Sequence, residues 1–353
     1  MLFGYPLDST SENWLHDCLV ETITKIHKDI DDGKMLQEWP DFISQKYREK
    51  IKSRSGIRDR LALYNHQAAK LSKAERAKIL NMLNEQNSIA TLLNAKTQCG
   101  RLQDLPPNIQ DSIKKLFEFA FGLLTDLGVR DRQYKRIHSE IDSKVCPFCG
   151  FEYFSAPKSK REALDHYLVE SKYPFAAANL RNLVPMGGKC NSQYKHAEDV
   201  LWRVDGTRRI VFDPYMTGKQ TLSLENSKIN NTLIGPLVLE WVVEFSYSGE
   251  EVTTWDEIFS LRQRYKDDVL NEENIKLWMG EFKSWCFRSK QNLTDRFSVG
   301  LAIEAYSGFL VDCGFNDRAF IKAAVFKFFL NRFKLGCHRV TGVMCGLAGV
   351  PNV

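Results

Sequence analysis

Residues 145–196 read VCPFCGFEYFSAPKSKREALDHYLVESKYPFAAANLRNLVPMGGKCNSQYKH. Two cysteines open this stretch, an Asp-His pair sits in its middle, and a Cys-Asn pair comes near its end. Apolar residues at helical spacing dominate the flanks, but that rhythm stops here. Residues able to hold a metal or move a proton take its place. The segment has to satisfy ligand geometry as well as burial, so it constrains the fold more than any other part of the chain.

Cys146 and Cys149 can turn both sulfurs toward one tetrahedral ion, and Gly150 relieves the tight turn that this requires. A CxxC can also be a redox pair, but no thioredoxin-like strand-then-helix pattern surrounds it. Cys190 offers a third thiolate, while Gly187 stands where a second CxxC would begin. The fourth ligand must then come from elsewhere: His196, His138 or a water. Alternatively, no zinc binds and packing holds the knuckle.

The apolar neighbours of Asp165-His166 suggest a short strand. Adjacent strand residues point to opposite faces, so the two can serve one ion jointly only near a strand end or distortion. Asn182-Leu-Val-Pro185 reads as a loop that can hydrogen-bond and orient an imidazole. Asn191 opens an expected helix over 190–200 and offers an amide oxygen to a hard cation.

In this order, CPFCG, LDHYL, NLVPM and KCNSQYK resemble an HNH endonuclease with the ββα-metal fold. The resemblance covers residues 146–195 and leaves the helical flanks outside it. It implies that Asp165 is the acidic metal ligand, His166 the general base and Asn182 the residue that positions the base. Asn191 stands where the motif's last histidine would be, as the second ligand of the catalytic ion. Cys146, Cys149 and Cys190 match three structural zinc positions. Gly187 departs from the fourth, which bears on the zinc and leaves the catalytic ion untouched. The resemblance also implies a DNA substrate, with RNA left open, and a role in bacterial anti-phage defence beside a partner ATPase or sensor protein.

The chemistry is consistent with these residues. Phosphodiester hydrolysis needs an activated water and charge stabilisation at the scissile phosphate. An imidazole with an ordinary pKa near ~6.5 accepts a proton near neutral pH. Two oxygen-donor side chains leave room around an ion for water and phosphate, which suits Mg²⁺ or Mn²⁺. Lys158, Lys160, Arg161, Lys172, Arg181, Lys189 and Lys195, with Tyr167 and Tyr173 among them, are expected to form a phosphate-tracking surface. Lys172, Arg181, Lys189 and Lys195 are its foremost members. The competing reading is a non-catalytic zinc-knuckle module that binds nucleic acid or protein. Such a module has no need for Asp165, His166, Asn182 and Asn191 together.

Around this centre the chain reads as helical. Trp14, Leu15, Cys18, Leu19, Ile23 and Ile26 recur at helical spacing. Ser72-x-x-Glu75 is a capping-box pattern opening a helix over 73–85. Pro106-Pro107 marks a break before a helix over 108–127, which Gly128 stops. A charged helix follows over 130–140. The basic run 50–60 reads as a solvated helix face or linker. Residues 208–212 and 237–245 are rich in β-branched and aromatic residues and predict short strands. Helices return from Trp255 onward. The last assigned one, over 318–334, has an apolar face and Lys322, Lys327 and Arg332 on other faces. The tail 336–353 receives no assignment.

The expected class is α+β: mainly helical, with a central ββα-metal unit and a few short strands after it. The expected domains are 1–140 (helical), 141–215 (nuclease) and 216–353 (mixed, then helical). A 43% apolar and 26% charged composition excludes a largely disordered chain. The net charge of +5 permits a nucleic-acid partner without requiring one. No run of about 18 apolar residues occurs, so no membrane span is expected. The first residues lack the basic region and apolar core of a signal peptide. The nine cysteines are mostly scattered, as buried thiols of a reducing compartment are, which points to the cytoplasm.

Overall fold

The computed structural model describes residues 1–35, 37–159, 164–232 and 234–351. It is 57% helical and 6% strand, a mainly helical α+β protein. None of the described helices is long and apolar enough to cross a membrane. The chain packs as two compact units. One comprises Phe3–Asp142 with Phe154–Thr217, and the other Met1–Leu2, Ser143–Tyr153 and Gly218–Val353.

The first unit begins with α1 (Trp14–Asp31), α2 (Gln45–Ile51), α3 (Ser55–Ala68), α4 (Lys73–Asn87) and α5 (Ile89–Leu93). It continues with α6 (Pro107–Asp126) and α7 (Val129–Glu140). Helix α1 buries Leu15, Cys18, Leu19, Ile23 and Ile26, the stripe that its spacing predicts. Helix α4 starts at the expected capping box, with the Glu75 amide donating to Ser72 Oγ and the Ser72 amide donating to the Glu75 carboxylate. Pro107 occupies the first turn of α6, where its missing N–H costs nothing. Gly128, at φ +67°, makes the left-handed break before α7. The basic run 50–60 forms the end of α2 and the start of α3. There Lys50 lies over the Trp14 ring and Arg60 over Phe119.

A two-stranded antiparallel hairpin joins these helices. Strand β1 (Leu164–His166) pairs with β2 (Leu183–Pro185), matching Asp165 to Val184 and His166 to Leu183. Residues 183–185 are therefore strand, where a loop was expected. A π-helical turn follows over Cys190–Lys195, shorter than the helix expected over 190–200. Leu164, Phe175, Ala177, Ala178, Leu180 and Leu183 lie in one core with Ile109, Ile113, Phe117 and Ile57 of the helices. The Phe117 and Phe175 rings meet edge-on at 5.4 Å. A boundary at residue 140 would cut through this core, so the observed units depart from the expected domains.

The second unit holds two small strand pairs. These are β3 (Leu222–Ser223) with β6 (Glu244–Phe245), and β4 (Lys228–Ile229) with β5 (Val238–Glu240). Helices α8 (Glu250–Phe259), α9 (Leu261–Arg264), α10 (Glu272–Arg288), α11 (Arg296–Asp312), α12 (Ala319–Lys334) and α13 (His338–Ala348) follow. Helix α13 occupies the tail that carried no assignment. Lys322, expected on an outer face, is buried because Glu281 and Asp317 accept from its ammonium at 2.9 and 2.6 Å. The Cys146–Gly150 loop packs here. Trp255 Nε1 donates to the Phe148 carbonyl at 3.0 Å, and Tyr265 Oη donates to the Cys149 carbonyl at 3.0 Å. Gly150 has φ +73°, and a Cβ there would lie 2.7 Å from atoms of Leu2 and Phe320. Only glycine fits.

The strand expected over 208–212 reduces to a single bridge between Trp202 and Arg208. Its backbone finds other partners: the Val211 amide donates to the Leu93 carbonyl, the Arg209 amide donates to the Leu201 carbonyl, and the Arg209 carbonyl accepts from the Arg208 guanidinium.

Because Phe175 ties the hairpin loop to the helices, Phe175→Ala should cost about 3–5 kcal/mol of stability. Ser72→Ala, which removes only a cap, should cost about 1 kcal/mol. Urea denaturation of the two variants checks the order; equal losses would contradict a shared core.

Candidate active site

The residues linking β1 to β2 run through the interior, so their backbone polar groups need protein partners. Side-chain amides of the helices supply them. Gln86 Oε1 accepts from the Phe175 amide at 3.0 Å, and Asn13 Oδ1 accepts from the Leu180 amide at 2.9 Å. Gln133 Nε2 donates to the Leu180 and Leu183 carbonyls at 2.9 and 3.2 Å. Asn87 Oδ1 accepts from Asn179 Nδ2 at 3.0 Å.

Asn182 closes the loop from inside. It is fully buried, and its Oδ1 accepts from the Leu168 amide at 2.7 Å. Its Nδ2 donates to the Leu168 and Ala176 carbonyls at 3.1 and 3.2 Å. The side chain contacts the loop, not the His166 imidazole. The next carbonyl along, that of Ala177, lies 2.9 Å from His166 Nε2. A carbonyl can only accept, so Nε2 carries the proton and Nδ1 is the basic nitrogen. Asn182 thus acts on the ring through the loop.

His166 is otherwise packed. Its ring lies 4.2 Å from the Phe121 ring of α6, and Arg130 of α7 lies over that same Phe121 ring at 4.3 Å. Its Nδ1 is 3.5 Å from Glu170 Oε2. Burial pushes the imidazole pKa down to about 4, against the opposing effects of the Ala177 carbonyl and Asp165. The same burial pushes the Glu170 carboxyl up.

Asp165, His166, Glu170, Asn191, Lys195 and His196 line one cleft of about 550 Å³. The strand-end position of His166 lets two adjacent residues reach it together. The π-helical turn brings Asn191 and Lys195 to the same cleft, and the His196 amide closes that turn on the Asn191 carbonyl at 2.8 Å. Asp165 therefore shares a cleft with Asn191, and both offer oxygen donors. Cys146 and Cys149 are buried within the second unit, and Cys190 is buried within the first. The Phe151 amide donates to Cys149 Sγ at 3.4 Å.

The expected cationic surface largely dissolves into ion pairs. Lys195 is buried and pairs with Asp165 at 2.8 Å, so it is no surface contact. Arg181 pairs with Asp213, and Lys172 with Asp199 at 3.2 Å. Lys189 and Lys158 are exposed; Lys160 and Arg161 lie outside the described residues. Tyr167 and Tyr173 are buried, with their hydroxyls on the Phe212 carbonyl and the Asp199 carboxylate. Glu170 and the amides of Asn13, Gln86 and Gln133 carry no sequence signature. Lys195 carried one, its spacing of one turn from Asn191. Compared with protein-family models, curated proteins and solved structures, the chain gives no match.

Burial holds His166 and His27 at about 4 and His16 at about 3, all below the ordinary 6.5. The unfolded chain therefore takes up protons below about pH 6.5 that the folded chain refuses. Stability should be full above pH 7 and fall as pH drops from about 6.5 toward about 4. Urea midpoints at pH 7.5 and 5 check this; an unchanged midpoint would contradict it.

Proposed function

We propose that this protein is a metal-dependent endonuclease of the HNH type that hydrolyses phosphodiester bonds in DNA. One observation carries the reading: a hairpin and the turn after it bring Asp165, His166 and Asn191 to a single cleft, with His166 Nε2 committed to a backbone carbonyl. A core histidine has no reason to share a cleft with an acid and an amide while its second nitrogen is kept basic.

The donor set fits a hard divalent ion. A carboxylate and a side-chain amide are oxygen ligands of the kind that Mg²⁺ or Mn²⁺ takes, and Asp165 and Asn191 would hold it. When bound, such an ion supplies Lewis-acid stabilisation of charge on the scissile phosphate. The chain's own residues do the rest. His166 is in its neutral form at pH 7, and Nδ1 takes the proton of the attacking water. The Ala177 carbonyl fixes the tautomer, and Asn182 holds the loop that carries that carbonyl. Phe121 packs on one side of the ring, limiting its rotation. Lys189, exposed beside the turn, stays among the phosphate contacts of this reading.

The same reading assigns a structural Zn²⁺ to Cys146, Cys149 and Cys190, with the fourth ligand from His196, His138 or a water. A bacterial anti-phage setting with a partner ATPase or sensor, in the cytoplasm, belongs to the same reading and rests on the motif resemblance alone. The gene neighbourhood tests it.

His166→Ala should lower plasmid cleavage in Mg²⁺ or Mn²⁺ by about 10²–10⁴-fold. DNA binding, measured by gel shift, should survive. Cleavage at the wild-type rate would remove His166 from the mechanism. A wild-type protein that binds but never cuts DNA or RNA, with partner supplied, would favour a zinc-knuckle binding module instead.

A further inference from the structure

We infer that Lys195 couples metal loading to nucleic-acid binding, because its ammonium already neutralises the carboxylate that would hold the ion. The inference rests on the nuclease reading and concerns the regulation of that same cleft. Lys195 ends the π-helical turn that begins at Cys190, and its side chain is 1% exposed. Its Nζ lies 2.8 Å from Asp165 Oδ2. Among the described residues, Asp165 is the hydrogen-bond partner of this ammonium. A buried ammonium without an acid beside it is costly, so the pair is a fixed part of the cleft and not a transient surface contact.

The pair changes what the cleft offers a cation. Asp165 contributes one negative charge, Lys195 one positive charge and Asn191 none. Glu170, the other acid lining the cleft, is turned to His166, with Oε2 3.5 Å from Nδ1. The oxygen donors are therefore present while the charge at the ligand carboxylate is cancelled. The affinity of such sites for hard divalent ions follows the charge count of their ligands. A phosphodiester entering the cleft restores negative charge beside Asp165. Ion and nucleic acid then bind as a unit, and each tightens the other by the same factor. A free protein of this design holds little metal at its active centre. Lys195 is a positioning and charge-setting residue here, distinct from the general base.

The test uses the 353-residue chain carrying His166→Ala, so that DNA cleavage is slowed, and Mn²⁺ as the probe, read by the loss of the free-ion electron paramagnetic resonance signal. Adding a short duplex should tighten Mn²⁺ binding by about tenfold or more, given the strength of unit-charge interactions over a few ångströms. Placing Lys195→Met or, separately, Lys195→Gln in that background should tighten DNA-free Mn²⁺ binding by about the same factor and shrink the gain from DNA. Circular-dichroism melting confirms that each variant is folded, and Gln preserves a hydrogen bond to Asp165 without the charge. Asp165→Asn should abolish the binding in every background, which assigns the signal to this cleft. If both Lys195 variants bind Mn²⁺ no tighter than their parent while Asp165→Asn still abolishes binding, the coupling is overturned and the nuclease reading stands. If no arm binds Mn²⁺ even with DNA, the nuclease reading falls and takes the coupling with it.

Discussion

The interior course of the loop between β1 and β2 is the constraint on which the candidate site depends. A buried backbone must find its hydrogen bonds inside the protein. Asn182 satisfies it from within the loop, while Asn13, just before α1, Gln86 of α4 and Gln133 of α7 satisfy it from outside. Each unmet group would cost about 1–3 kcal/mol, so the loop has one low-energy path and not several. That path ends at the Ala177 carbonyl, and the carbonyl sets the tautomer of His166. The chemistry of one imidazole is thus decided by amides on helices that never touch it.

This arrangement explains what could be read in the sequence and what could not. Cys146, Cys149, Asp165, His166, Asn182 and Asn191 stand at the spacings of a known motif, and they drew notice for that reason. The capping box at Ser72 and the stop at Gly128 were equally visible, because caps and left-handed turns demand particular residue types. Gln86 and Gln133 were invisible, since glutamine is an ordinary surface residue of helices and its role appears only when a distant loop packs against it. Lys195 was misjudged for a related reason. Lysines are rarely buried, so the surface was the natural expectation, and the acid that lets this one be buried lies thirty positions away. The strand expected at 208–212 failed differently: its β-branched residues are real, but the Arg209 and Val211 amides donate to Leu201 and Leu93, and the Arg208 guanidinium takes the Arg209 carbonyl.

Two features of the cleft act on charge in opposite directions. Burial keeps the His166 imidazole in its neutral form near pH 7. The Lys195–Asp165 pair cancels charge where a cation would sit. On the nuclease reading proposed above, they would make a centre whose imidazole is unprotonated before substrate arrives and whose charge favours metal only once substrate is present.

The joining of hairpin and helices in one core, through Phe117, Phe175, Leu180 and Leu183, also has a temporal meaning. Proteins open locally in cooperative pieces, and a segment opens on its own only when little apolar contact or hydrogen bonding ties it down. The 175–183 loop is tied on both counts. Its opening is therefore linked to the loss of the helical core. The arrangement around His166 lasts as long as the fold does, so that loop offers no separate lid or hinge to gate the cleft.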